Sequence, residues 1–158
     1  MNNTDKSIRD IYIKYWKNYV NFKGVSTRKE YWIPNLINLG IYFILAFLTI
    51  MSFTIFGVDS LSGNICGSIF GILFIAFALG NFIPSYAIYF RRFRDAGRHW
   101  ITALVLVIAT LIINTIIHFN EENYTLVTVL AIILLILGIY QLIITLLPTS
   151  KSNKQKWL

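Results

Sequence analysis

The sequence predicts an all-α integral membrane protein, four transmembrane helices preceded by an N-terminal amphipathic helix, on three observations. Of its 158 residues, 56% are hydrophobic and 13% charged, and the mean hydropathy is +0.64. Soluble domains carry about 25% charged residues. Second, four stretches hold no Asp, Glu, Lys or Arg: Ile33 to Phe56, Ile65 to Phe90, Trp100 to Phe119 and Thr125 to Leu147. Each reaches the roughly 20 residues that cross a hydrocarbon core. Third, the basic residues are segregated: of 14 Lys and Arg, seven precede Tyr31, four lie between 91 and 98, and three between 151 and 156.

Alternation of four spans places those three basic groups on one face of the bilayer. Cytoplasmic loops are enriched in Lys and Arg, so that face is expected in the cytoplasm, together with both termini. The two other connections carry only acids, Asp59 in one and Glu121 and Glu122 in the other. The formal charge of +7 is thus explained by orientation in the inner (cytoplasmic) membrane, and no nucleic-acid partner is expected. A single membrane domain over residues 1–158 is predicted, with 148–158 as a cytoplasmic tail. The first 32 residues are polar and aromatic, unlike a cleaved secretory leader.

The elements follow in order. Residues 5–22, DKSIRDIYIKYWKNYVNF, place Ile8, Ile11, Tyr12, Tyr15, Trp16, Tyr19 and Val20 at helical spacing, with polar side chains mostly opposite. Such a helix either lies in the interface, with Lys14 and Lys17 toward anionic headgroups, or packs against the cytoplasmic ends of the spans; its pattern fits both. In FKGVSTRKEYW, residues 22–32, a Gly turn leads to Thr27 and Glu30 in capping-box spacing, which predicts a new helix start. Pro34 then removes one internal hydrogen bond, so a bend is expected near it.

The second span opens with Gly63, Gly67 and Gly71 at intervals of four, a face on which helices approach closely in lipid. Packing within the chain is expected there ahead of dimerisation, and a kink at Pro84. Tyr31, Trp32, Tyr86, Tyr89, Trp100 and Tyr124 mark span boundaries, where amphipathic rings prefer the headgroup level. The polar residues inside spans are Asn38, Asn81, Asn114, His118 and Gln141. Interhelical hydrogen bonds of about 0.6–2 kcal/mol each are their ordinary use. None of the spans holds the carboxylates or cations of a proton relay or ion path, and His118 reads as a wet residue at the outer end of its span.

Chemistry is sparse. The lone Cys66 has no intramolecular disulfide partner, and no Cys or His clustering supplies metal-ligand spacing, so no metal and no cofactor are expected. The richest stretch is RRFRDAGRHW, residues 91–100. Arg91, Arg92 and Arg94 suit the C-terminal end of a helix, and Gly97 suits the left-handed turn that stops one. With Arg98, Lys14 and Lys17 these arginines are candidate contacts for anionic lipid phosphates. Asp95 runs against the local charge and asks for a counter-ion. Arg28 and Glu30 are expected to meet Asp95 and one of Arg91 or Arg92 in a cross-paired cluster that clamps two helix ends together.

Two of these motifs carry a family resemblance. FKGVSTRKEYW resembles F-x-G-R-x-S-R-x-E-Y-W, and RRFRDAGRHW resembles R-R-L-H-D-x-G-x-S-x-W, of the domain-of-unknown-function 805 family, the YhaH-like bacterial inner-membrane proteins. PTSKSNKQKWL, residues 148–158, is similar to that family's polar, Asn-containing terminus. Val25 stands where the family often has Arg, Arg94 where it often has His, and His99 with Trp100 replaces a Ser-Gly-Trp-like stretch. The resemblance implies a small inner-membrane protein and carries no catalytic residue over.

The expected function is a non-enzymatic interaction or regulatory module with a basic cytoplasmic face. Its partners are anionic lipid headgroups, a membrane protein or a second copy of the chain. One alternative is a membrane-embedded lipid-handling enzyme or lipid-phosphate-binding protein. Against it, Glu30, Asp95 and His99 form a weak acid–base set, and no catalytic triad or phosphate-cradling loop accompanies them. A second alternative is a small oligomeric pore or transporter using the glycine face.

Overall fold

The computed structural model describes residues 7–57 and 60–150. The expected helix start at Asp5, the acidic connection at Asp59 and the basic tail segment 151–158 lie outside the described residues. All regular structure among the described residues is helical: α1 (Ile8–Lys17), α2 (Arg28–Phe56), α3 (Leu61–Asp95), α4 (Trp100–Phe119) and α5 (Tyr124–Leu146). The last four are long and apolar enough to cross a membrane. Large side chains such as Phe43, Phe47, Ile75, Leu79 and Leu135 are exposed along them. Lipid tails are as apolar as these side chains, so nothing drives them inward.

The chain divides into two compact units. The first holds the described residues of Met1–Asn21 and Trp32–Ala87; the second holds Phe22–Tyr31 and the described residues of Ile88–Leu158.

In the first unit α1 lays its aromatic face on α2 and α3. Ile11 and Tyr15 are buried. The Tyr12 hydroxyl donates to Asn38 Oδ1 at 2.9 Å, and the Tyr19 hydroxyl to the Gly80 carbonyl at 2.8 Å. Of the two surroundings that its amphipathic pattern fits, Ile11 and the tyrosines meet protein, while Ile8 and Val20 of the same expected face are exposed. α1 ends at Lys17, short of the expected 22. The Asn18 side-chain amide donates to the Lys14 carbonyl at 2.8 Å, the acceptor its own N–H uses at 3.1 Å, a local bond that competes with continuing the helix.

The three glycines on α3 differ in what they meet. A Cβ on Gly67 would run into the Phe53 ring, one on Gly63 into the Gly57 carbonyl and Ser60 Oγ of the preceding turn, and one on Gly71 into nothing within 4 Å. Only Gly67 among them seats a side chain of another helix. Pro34 and Pro84 lie inside unbroken helices, both fully buried.

In the second unit α4 packs on α5 around Phe93, Ala103, Leu106 and Ile144, with Tyr89, Phe90, Leu137 and Leu147 against them. His99 caps α4 by accepting from the Ile101 N–H at 3.3 Å, and Asn123 caps α5 by accepting from Leu126 at 3.1 Å. Leu147, extended at ψ 149° because Pro148 follows it, ends α5.

Candidate functional site

Both motifs that stand out in the sequence, Trp32 apart, fall in the second unit. The Thr27 N–H meets Glu30 Oε2 at 3.3 Å while the Glu30 N–H meets Thr27 Oγ1 at 3.4 Å, a reciprocal capping box that starts α2 at Arg28. At the other motif α3 ends in a Schellman turn. The Arg98 N–H returns to the Phe93 carbonyl at 2.9 Å and the Gly97 N–H to Arg94 at 3.0 Å, with Gly97 at φ +79°. That conformation suits glycine, and Ser150 packs against it.

Arg92 and Asp95 are both 0% exposed. Three residues apart on α3, they face the same way and form an ion pair from Arg92 Nη1 to Asp95 Oδ2. A charged pair removed from water survives only if its remaining donors and lone pairs are satisfied. Here the end of α5 satisfies most of them. Arg92 Nε donates to the Thr145 carbonyl at 3.0 Å and Nη2 to that of Leu147, while Nη1 also reaches the Ser26 carbonyl at 3.5 Å. Arg28 Nε adds a second bond to Leu147 at 2.9 Å. The last carbonyls of a helix lack intrahelical partners and carry partial negative charge, and α5 has no basic residue in its own last turn. Arginines from the starts and ends of other helices supply what that sequence omits.

Asp95 is held by the segment beyond α5. The Thr149 hydroxyl donates to Asp95 Oδ2 at 2.9 Å, and the Ser150 N–H to the Asp95 carbonyl at 2.8 Å. The Ser26 N–H donates to the Arg91 carbonyl at 3.3 Å. Asp95 Oδ1 is buried without a hydrogen-bond partner among the described residues.

Of the expected charge cluster, the structure brings Arg92 to Asp95 within one helix and places Arg28 on the Leu147 carbonyl just past α5. Glu30 is 6% exposed and caps α2; Arg91 is 4% exposed. Among the expected lipid contacts Arg91 and Arg92 therefore face inward, whereas Arg98 and Lys17 are exposed and Lys14 and Arg94 half-buried. Phe22, Lys23, Phe90, Arg94 and Trp100 line an open pocket of about 530 Å³ beside the cluster. Sequence reasoning missed Ser26, Thr145, Leu147, Thr149 and Ser150. The signals pointing to them were the Ser26 of the quoted FKGVSTRKEYW and the Pro-Thr-Ser of the quoted tail, while Thr145 and Leu147 gave none, since a carbonyl acceptor leaves no trace in residue type.

A second polar site lies in the first unit. Asn38 and Asn81, 2% and 4% exposed, meet across α2 and α3, Asn38 Nδ2 donating to Asn81 Oδ1 at 2.9 Å. The Tyr15 hydroxyl donates to the same oxygen and lies 3.0 Å from Ser85 Oγ, and Asn81 Nδ2 donates to the Tyr42 hydroxyl at 3.2 Å. Burial pushes the Tyr15 phenol up to about 12. Asn114 and His118 remain on the surface, His118 beside Glu121 at 3.1 Å. A pocket of about 490 Å³ opens beside the amides, with Tyr42, Phe82 and Tyr86 among its walls.

Comparison with known proteins agrees with the two motifs. The model of the family described as Protein of unknown function (DUF805) matches residues 19–157. Inner membrane protein YhaH of Escherichia coli K12 is 38% identical over 116 residues, covering 73% of this chain and 88% of that protein. Inner membrane protein YhaH of Escherichia coli O157:H7 matches to the same extent, 38% over 116 residues. No solved structure matches. With its four apolar helices and both motifs inside the matched region, the chain belongs to the DUF805 family of membrane proteins.

Proposed function

We propose that the protein is a non-enzymatic membrane module whose basic cytoplasmic face engages anionic lipid headgroups. The observation that carries this is the pocket in which two cations, Lys23 and Arg94, stand among three rings, Phe22, Phe90 and Trp100. Cations suit a lipid phosphate, and rings of this kind suit the level where headgroup meets acyl chain. Arg98, Arg28 and Lys29 are exposed in the same unit and extend the positive potential around it. Glu30 serves the α2 cap and Asp95 the pair with Arg92, which favours a binding role over acid–base catalysis. The positive-inside distribution supports a cytoplasmic placement of this face and of both termini.

Native mass spectrometry of the chain extracted with its lipids tests this. Wild type is expected to retain phosphatidylglycerol, and the Lys23→Ala, Arg94→Ala double variant to retain about tenfold less, the effect of roughly one charge-assisted hydrogen bond. Equal retention by both would defeat the proposal. Loss of a co-purifying protein instead of lipid would make the face a protein-docking surface.

A further inference from the structure

The polar network of the first unit is rich in donors. The Tyr12 hydroxyl is used on Asn38, that of Tyr15 on Asn81, and one amide hydrogen each from Asn38 and Asn81 on Asn81 Oδ1 and the Tyr42 oxygen. The Ser85 hydroxyl has the Tyr15 oxygen as its acceptor. The second Asn38 hydrogen faces the Tyr15 oxygen. The Tyr42 hydroxyl hydrogen and one Asn81 amide hydrogen then have no acceptor among the described residues. Both groups, Tyr42 and Asn81, line the pocket of about 490 Å³ between α2 and α3. Hydrocarbon cannot satisfy these donors, and a polar group left unsatisfied there is strongly disfavoured.

We propose that this pocket binds an uncharged lipophile through a carbonyl oxygen. A carbonyl offers two lone pairs and no donor, the complement of what the wall presents. None of the lining residues is charged. An anion would be desolvated there with no counter-charge, which selects a neutral head. The remaining walls are Leu39, Ala78, Phe82 and Tyr86 with the uncharged polar Asn35 and Ser85, and Phe82 and Tyr86 are in edge contact at 4.9 Å. The rim residues Leu39 and Phe82 are exposed on the span surface, so the ligand enters from the bilayer. A quinone ring and the acyl ester of a glycerolipid both present this chemistry. The inference stands apart from the headgroup proposal, which concerns the other unit.

The test titrates the full chain, in lipid-depleted detergent micelles, with decylubiquinone and separately with dioctanoylglycerol, each against protein-free micelles by calorimetry. Tyr42→Phe removes one donor and keeps the ring, and is expected to weaken binding about five- to tenfold, the effect of one neutral hydrogen bond. Ala78→Phe fills the pocket from α3 and is expected to abolish binding, with helicity by circular dichroism showing that the variant folds. Binding of the quinone alone assigns a ring carbonyl, and binding of the diacylglycerol alone assigns an ester. No binding of either probe above the blank, or binding that Tyr42→Phe leaves unchanged, overturns the proposal.

Discussion

At Arg92 one guanidinium joins an aspartate and carbonyls from two other segments, all out of water. Arg92→Ala leaves the Asp95 carboxylate buried without its counter-charge, and thermal unfolding in detergent is expected to show a loss of about 3–5 kcal/mol. Arg92→Lys should recover little of it, since an ammonium cannot present a planar fork to acceptors on several sides. Replacing the pair together, Arg92→Met with Asp95→Leu, should cost less than Arg92→Ala alone, because no charge is then stranded. Tyr15 makes a separate prediction. Its phenol is raised from 10.0 to about 12 by burial, so the folded chain holds a proton that the unfolded chain gives up first. Docking of α1 is therefore at full strength below about pH 10 and weakens as pH rises through about 12. Hydrogen exchange of α1 amides across that window checks the sign, and Tyr15→Phe should remove the dependence.

At the scale of the element, α3 separates the uses of glycine. Gly67→Ala drives a methyl into Phe53, whereas Gly71→Ala meets open space. The first is expected to lower the melting temperature, and the second to leave it unchanged or raise it by the Gly-to-Ala helix preference of up to about 1 kcal/mol. Spacing alone treats these two positions alike, because it reports which residues share a face and is silent on what stands opposite. The same limit governs α1. Its tyrosines were legible as one face, but a pattern of apolar and polar positions does not distinguish lipid from protein as the neighbour. Asn38 and Asn81 were likewise visible as amides inside spans, while their meeting depends on the register of α2 against α3. The helix ends were the most legible features. The capping box at Thr27, the left-handed Gly97 and the stop before Pro148 are local chemistry written in adjacent residues.

For the molecule as a whole, composition and charge were sufficient for class and span number, because crossing a bilayer demands length and apolarity that few other folds require. Function was less legible, since the arginines that draw the eye at 91 and 92 are buried in the structure. What faces outward is a different subset, and burial is decided by tertiary packing. Orientation makes a prediction at this scale: a fluorescent protein fused after residue 158 should fluoresce, and alkaline phosphatase fused at the same point should be inactive, as expected for a cytoplasmic terminus. The reverse pattern would place the basic face outside.

The partners of Arg92 and Asp95 also set an order in time. Thr145, Leu147, Thr149 and Ser150 are synthesised some fifty residues later, |i−j| being 53 to 55 for the side-chain bonds. Until the last helix is made, Arg92 and Asp95 have each other and the Ser26 carbonyl but lack the groups that take up their remaining bonds. A chain that stops before Thr145 is expected to leave the pair incompletely satisfied, which ties the firmness of the α3 end to completion of α5.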